Sequence, residues 1–136
     1  MKVEREMTAR RPQRRQGTMV EFARVRQVPG ESHRRWFYDD EYDLIVWTEG
    51  SRVTGFQLCY DKRQDQRAVT WRLSSGFSHD RIDEGDTVPG KPRSPVLEPD
   101  GVFDARGVAE DFRAAASGID PQIRELVYRV LMDYPR

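Results

Sequence analysis

One cysteine and two histidines are the only thiol and imidazole ligands in this sequence of 136 residues. A lone Cys59 excludes an intramolecular disulfide and suits a reducing cytoplasm. No zinc spacing can be assembled from these three residues without carboxylates, so no metal and no cofactor is expected. No apolar run approaches the roughly 20 residues that cross a bilayer as a helix, and no membrane partner is expected. The glycines never gather into a phosphate-cradling loop and no Gly-x-Ser-x-Gly elbow occurs, which removes nucleotide-binding and α/β-hydrolase readings. No internal repeat shows at any period. Apolar residues are scarce as well, 37% against 34% charged, so the core must come from a few clearly patterned segments.

Charge is abundant and balanced, with 23 Lys and Arg against 23 Asp and Glu. The balance is uneven along the chain. Residues 1–17 carry Lys2, Arg5, Arg10, Arg11, Arg14 and Arg15 against Glu4 and Glu6, net +4, which leaves −4 for the remainder. A basic tail can attract nucleic acid or an anionic membrane, but short charged termini are more commonly just solvated. Residues 1–18 are therefore expected to be a disordered basic tail, and 19–136 a single domain of ordinary size. The tail lacks an apolar h-region, so it does not read as a secretory signal, and its glutamates argue against a transit peptide. Met19, which follows it, offers a second start for translation.

The stretch "RRWFYDDEYDLIVW" begins the patterned part. Arg35–Tyr38 reads as a short aromatic strand, Asp39-Asp40-Glu41 as a hairpin turn, and Tyr42–Thr48 as a second strand, because acids are depleted from strands and favoured in turns. Glu49-Gly50-Ser51 makes the next turn, then "RVTGFQLCY" and "RAVTWRL" alternate as strands, the latter with Val69, Trp71 and Leu73 on one side. A weaker strand is expected within Glu21–Val28, closed by Pro29-Gly30. Connections this short allow only antiparallel pairing. Glu49 suits a positive φ poorly, so an odd-numbered loop at Gly50 is preferred. Leu44 and Val46 then share a face with Phe56, Leu58 and Tyr60, while Ile45 and Trp47 share the other with Val53, Gly55, Gln57 and Cys59. An even loop would exchange the faces.

Residues 85–101 hold four of the eight prolines and read as a long irregular connection, with Val96 and Leu97 as a short edge strand. Two helices follow. Asp104 caps the first, whose stripe is Val108, Phe112 and Ala115 and whose stop is Gly118. Asp120 caps the second, with Pro121 at its first position and Ile123, Leu126, Val127, Val130, Leu131 and Tyr134 at helical spacing. The fold class is therefore α+β, an antiparallel meander of 4–5 strands with two C-terminal helices packed on the Leu44/Val46/Phe56/Leu58/Tyr60 face. The reverse face is left for a ligand or partner.

The segments "FYDDEYDLIVW", "GFQLCYDK", "AVTWR", "GFSHDRID" and "PVLEPDGVFD" resemble a family of short bacterial proteins of unassigned function, over roughly residues 34–134. The resemblance implies a bacterial, cytoplasmic, single-domain protein. It brings no catalytic residue, cofactor or partner.

The remaining chemistry is thin. "SHDRIDEGD" sets His79 near Asp80, Asp83, Glu84 and Asp86, residue types suited to acid/base work or a hard cation. The spacing matches no metal-binding pattern, however, and a polar run between Gly76 and Gly85 resembles an exposed turn. His79 and Asp83 are the catalytic candidates of a small hydrolase that would also use Asp80. Cys59 lacks a visible base and reads as a small buried hydrophobe. Arg34, Arg35, Trp36, Arg52, Lys62, Arg63, Arg67, Trp71 and Arg72 mix cations with rings, as platforms for single-stranded RNA do. Interleaved acids and the negative remainder of the chain disfavour nucleic acid and favour ion pairs on a solvated rim. Of Trp36, Trp47 and Trp71, at least two are expected in the core. The preferred reading is a non-enzymatic interaction module that self-associates or meets another protein through the second sheet face or an edge strand, with Trp47, Gln57, Cys59 and Arg72 as binding-face candidates.

Overall fold

The structure, a computed structural model, describes residues 16–63, 65–83, 96–99 and 103–135. Seven strands form one antiparallel sheet in which sequence order is spatial order: β1 (Val20–Glu21), β2 (His33–Tyr38), β3 (Asp43–Glu49), β4 (Arg52–Tyr60), β5 (Arg67–Arg72), β6 (Gly76–Asp83) and β7 (Val96–Pro99). Two helices follow, α1 (Ala105–Ala115) and α2 (Pro121–Met132). The α+β class, the antiparallel pairing and the C-terminal helices agree with the sequence.

The strand count does not agree, because four to five were expected and the sheet has six longer strands plus the two-residue β1. The main omission is β6. Its residues "GFSHDRID" are polar enough to read as an exposed turn, but they pair along their length with β5, Trp71 opposite Phe77 and Val69 opposite His79. Alternate residues of β6 face outward, so half of a strand may be polar at no cost. The expected first strand over Glu21–Val28 shrinks to Val20–Glu21. Residues 1–15 of the expected tail and most of the proline-rich connection lie outside the described residues.

The Gly50 turn resolves differently from the odd loop expected. Glu49 pairs with Arg52, so the loop is the two residues Gly50-Ser51, with Gly50 at a φ of 63° that costs glycine little. The ladder then shifts between Trp47 and Thr48, a β-bulge, since Thr48 faces Val53 while Trp47 faces Gly55. An even loop plus one extra residue has the parity of an odd loop beyond the bulge. Leu44 and Val46, opposite Leu58 and Phe56, therefore share a face with them as expected, but Val53 lies before the shift and packs against the core instead of joining Gln57 and Cys59.

One face of the sheet carries the core. Phe37, Leu44, Leu58 and Val69 form a row across β2 to β5, and Val46 with Phe56 starts the next, all without solvent exposure. Ala109, Phe112 and Ala115 of α1 and Ile123, Val127 and Leu131 of α2 complete the cluster. Ala109 takes the fully buried place expected for Val108, which packs at the margin. Both caps are as the sequence suggests: Asp104 accepts from the Gly107 N–H at 3.0 Å and Asp120 from the Gln122 N–H at 2.9 Å. The first helix ends at Ala115, three residues before Gly118. Only Trp71 of the three tryptophans packs against the core, and Leu73 sits half exposed in the turn after β5.

Residues 17–19 close the structure. The Gly17 and Met19 amides donate to the Ala114 and Ala115 carbonyls at the end of α1 (3.0 and 3.1 Å), Thr18 Oγ1 donates to Asp39 at 2.6 Å, and the Met19 side chain is buried in the core. The "DDE" acids prove to be turn formers in part. Asp39 accepts the Glu41 and Tyr42 amides at 2.7 and 2.8 Å and so builds the β2–β3 turn.

Candidate functional site

The face away from the helices follows from strand alternation. Across β2 to β6 it presents Arg34, Trp47, Gly55 and Arg72 in one row, Trp36, Ile45, Gln57, Thr70 and Ser78 in the next, and Tyr38, Asp43, Cys59, Ala68 and Asp80 in the third. Trp47, Gln57, Cys59 and Arg72, the residues singled out from sequence, all lie here. A Cβ at Gly55 would come within 2.7 Å of the Trp71 carbonyl and 3.2 Å of the Trp47 ring, so glycine is what lets Trp47 lie close to β4. The Arg72 guanidinium stands 4.0 Å from the Trp47 ring centre. Gln57 Nε2 donates to Thr70 Oγ1 at 2.9 Å. Trp36 Nε1 donates to Asp43 at 3.0 Å, and the same carboxylate pairs with Lys62 at 3.2 Å.

Cys59 is half buried, and burial together with the nearby Asp43 charge pushes its thiol up to about 11, against a smaller opposing pull from Lys62. The raised value favours the protonated thiol at neutral pH, the weakly nucleophilic form.

At the β1 end the loop after β1 folds over this face. The Phe22 amide donates to the Trp36 carbonyl at 2.8 Å, and the Phe22 ring lies 5.4 Å from that of Trp36. The Gln27 side-chain amide then acts as a strand would, accepting from the Arg34 N–H and donating to the Arg34 carbonyl, both at 2.9 Å. Beneath the loop is a pocket of about 270 Å³ lined by Phe22, Arg24, Val25, Arg26, Arg34, Trp36 and Ile45. Arg34 was noted in the sequence only as part of a mixed platform, and Trp36 there and as one of three tryptophans of which at least two were expected in the core. Phe22, Arg24 and Arg26 gave no signal, since nothing periodic tells where a short loop returns.

His79 is elsewhere. It continues the core row from Val69, is 6% exposed, meets the Tyr60 hydroxyl through Nε2 at 2.5 Å and stacks on Phe103 at 4.2 Å. Asp80 alternates to the other face. Asp83 is four strand residues beyond His79, about 13 Å at the usual rise, and its side chain lies outside the described residues, as do Glu84 and Asp86. A second cleft, about 340 Å³, lies where β4 and the β2–β3 turn meet α1. It is lined by Glu41, Tyr42, Tyr60, Asp61, Arg67, Asp104, Val108 and Asp111. Burial raises the Asp61 carboxyl, with Arg67 opposing and Asp65 and Asp111 adding to the rise. Among the described residues no group of three His, Cys, Asp or Glu side chains is placed to hold a metal ion.

Comparison with family models, curated proteins and solved structures finds no significant match. Among the described residues no helix is long and apolar enough to cross a membrane.

Proposed function

We propose that the protein is a non-enzymatic binding module that works through the helix-free face of its sheet. The observation that carries this is the difference in cover between the two faces. Both helices pack on one side, while Trp36, Ile45 and Trp47 on the other remain half buried and Phe22 and Tyr38 keep 42% and 38% of their surface in water. Large rings held partly open beside a few fixed polar groups are what binding surfaces use for contact area. The loop after β1 already occupies the outer edge of β2, so face contact is favoured over strand addition there. A reducing cytoplasm suits the lone protonated thiol of Cys59. The hydrolase alternative has weaker support, with His79 set between Tyr60 and Phe103 and Asp80 on the opposite face.

An amide-resolved NMR screen against peptides and small molecules tests the reading. Binders are expected to shift residues 36, 45, 47, 57 and 72. Binders that collect instead in the Glu41/Asp61/Asp111 cleft, or around His79, would sink it.

A further inference from the structure

We propose that the pocket under the loop after β1 binds a small anion carried on a flat apolar body, an aromatic carboxylate or an aryl phosphate, with Arg34 as the anchor. The proposal rests on the helix-free face being the working surface and names the ligand of one end of it. In a chain with equal numbers of acids and bases, this pocket is lined by three arginines and no carboxylate. Arg24, Arg26 and Arg34 make no ion pair among the described residues.

Two other arginines show what such a side chain takes here. Arg35 offers its Nε and Nη2 edge to both oxygens of Glu21 at 2.8 and 2.9 Å, and Arg113 offers the same edge to Glu125 at 3.1 and 2.9 Å. That side-on fork matches the spacing of two oxygens on one carboxylate or phosphate. In Arg34 the Nη2 half of the edge meets only the Arg26 carbonyl, at 2.5 Å, and Nε is buried without a hydrogen-bond partner. A buried donor left without an acceptor is costly. An anionic ligand that displaces the Arg26 carbonyl would satisfy both donors at once, as Glu21 and Glu125 do for the other two arginines.

The apolar part of the ligand follows from the rest of the lining. Trp36 and Ile45 floor the pocket and Phe22 walls it, surfaces that suit a ring. At about 270 Å³ it falls just below the roughly 300–1,000 Å³ of pockets for drug-sized ligands, so it holds one ring and one charged group.

Titration of isotope-labelled protein with benzoate, phenyl phosphate, benzamide and inorganic phosphate, followed by amide shifts, tests the assignment. Benzoate and phenyl phosphate are expected to shift residues 22–27, 34, 36 and 45. They should bind at least tenfold more tightly than benzamide, which lacks the charge, and inorganic phosphate, which lacks the ring. Arg34→Gln should weaken benzoate at least tenfold, and Arg34→Lys, which keeps the charge without the fork, should recover only part. Should Arg34→Gln fail to fold, the exposed pair Arg24→Gln with Arg26→Gln serves in its place and must weaken both anions. Benzamide binding as well as benzoate, arginine variants that bind like wild type, or no shift with either anion at millimolar concentration each overturn the proposal. Shifts confined to Trp47 and Arg72 overturn the pocket and leave the face reading standing, whereas shifts confined to the Glu41/Asp61 cleft remove both.

Discussion

The same strands furnish two unlike surfaces, and neighbouring residues on one strand belong to each. On β3, Leu44 and Val46 are sealed under the helices, while Ile45 between them and Trp47 just beyond stay half open. The sealed face is mostly apolar, with Thr48 buried on β3 and His79 admitted at the β6 end with the Tyr60 hydroxyl as partner. The open face mixes rings with side chains that already hold one another, Gln57 with Thr70, Trp36 with Asp43, and Arg72 over Trp47. Stability is thus concentrated on one side of the sheet, which leaves the other free to vary in its polar groups.

Substitutions can break or sharpen that contrast. Phe112→Ala on the sealed side deletes a fully buried ring and is expected to cost about 3–5 kcal/mol, read as a lower midpoint in urea unfolding. A cost below about 1 kcal/mol there would mean that the helices do not anchor the fold. Cys59 on the open side checks how dry that side becomes between Asp43 and Ala68. Its thiol is raised from 9.0 to about 11, so at pH 8 alkylation of the native protein should run about 100-fold slower than that of the unfolded chain. The sign carries over to stability, because the neutral thiol favours the fold. The contribution is complete below pH 9 and is lost as pH rises through about 11, a decline that Cys59→Ala should flatten. Arg72→Ala removes only a cation from above an accessible ring and should cost about 0.5–1 kcal/mol by the same urea measurement.

Much of this contrast was legible in the sequence. Alternation over Leu44–Val46, Phe56–Tyr60 and Val69–Trp71 assigned the faces, and Asp104 and Asp120 announced both helices, because caps and periodicity are local signals. The bulge between Trp47 and Thr48 was not legible. A two-residue loop and one extra residue together mimic an odd loop, and only Val53 reveals the substitution. Strand β6 hid behind Ser78, Asp80 and Arg81, and its inward residue His79 looks polar until Tyr60 and Phe103 are seen beside it. Trp47 and Arg72 were found as a face, but the pocket was not. Its walls come from a loop whose return over Trp36 depends on the Phe22 and Gln27 hydrogen bonds, which no periodicity encodes.

In this sheet each strand pairs with the one made just before it, so the layer can zip up as the nascent chain leaves the ribosome. The bonds from Gly17 and Met19 to Ala114 and Ala115 are different, for they join the earliest described residues to a helix translated nearly last. Until α1 appears, a nearly finished sheet displays its oily side and Met19 together. A chain that has released the sheet but not yet α1 is therefore expected to expose the most apolar surface, which binding of a hydrophobic dye to a chain truncated before Ala105 would check.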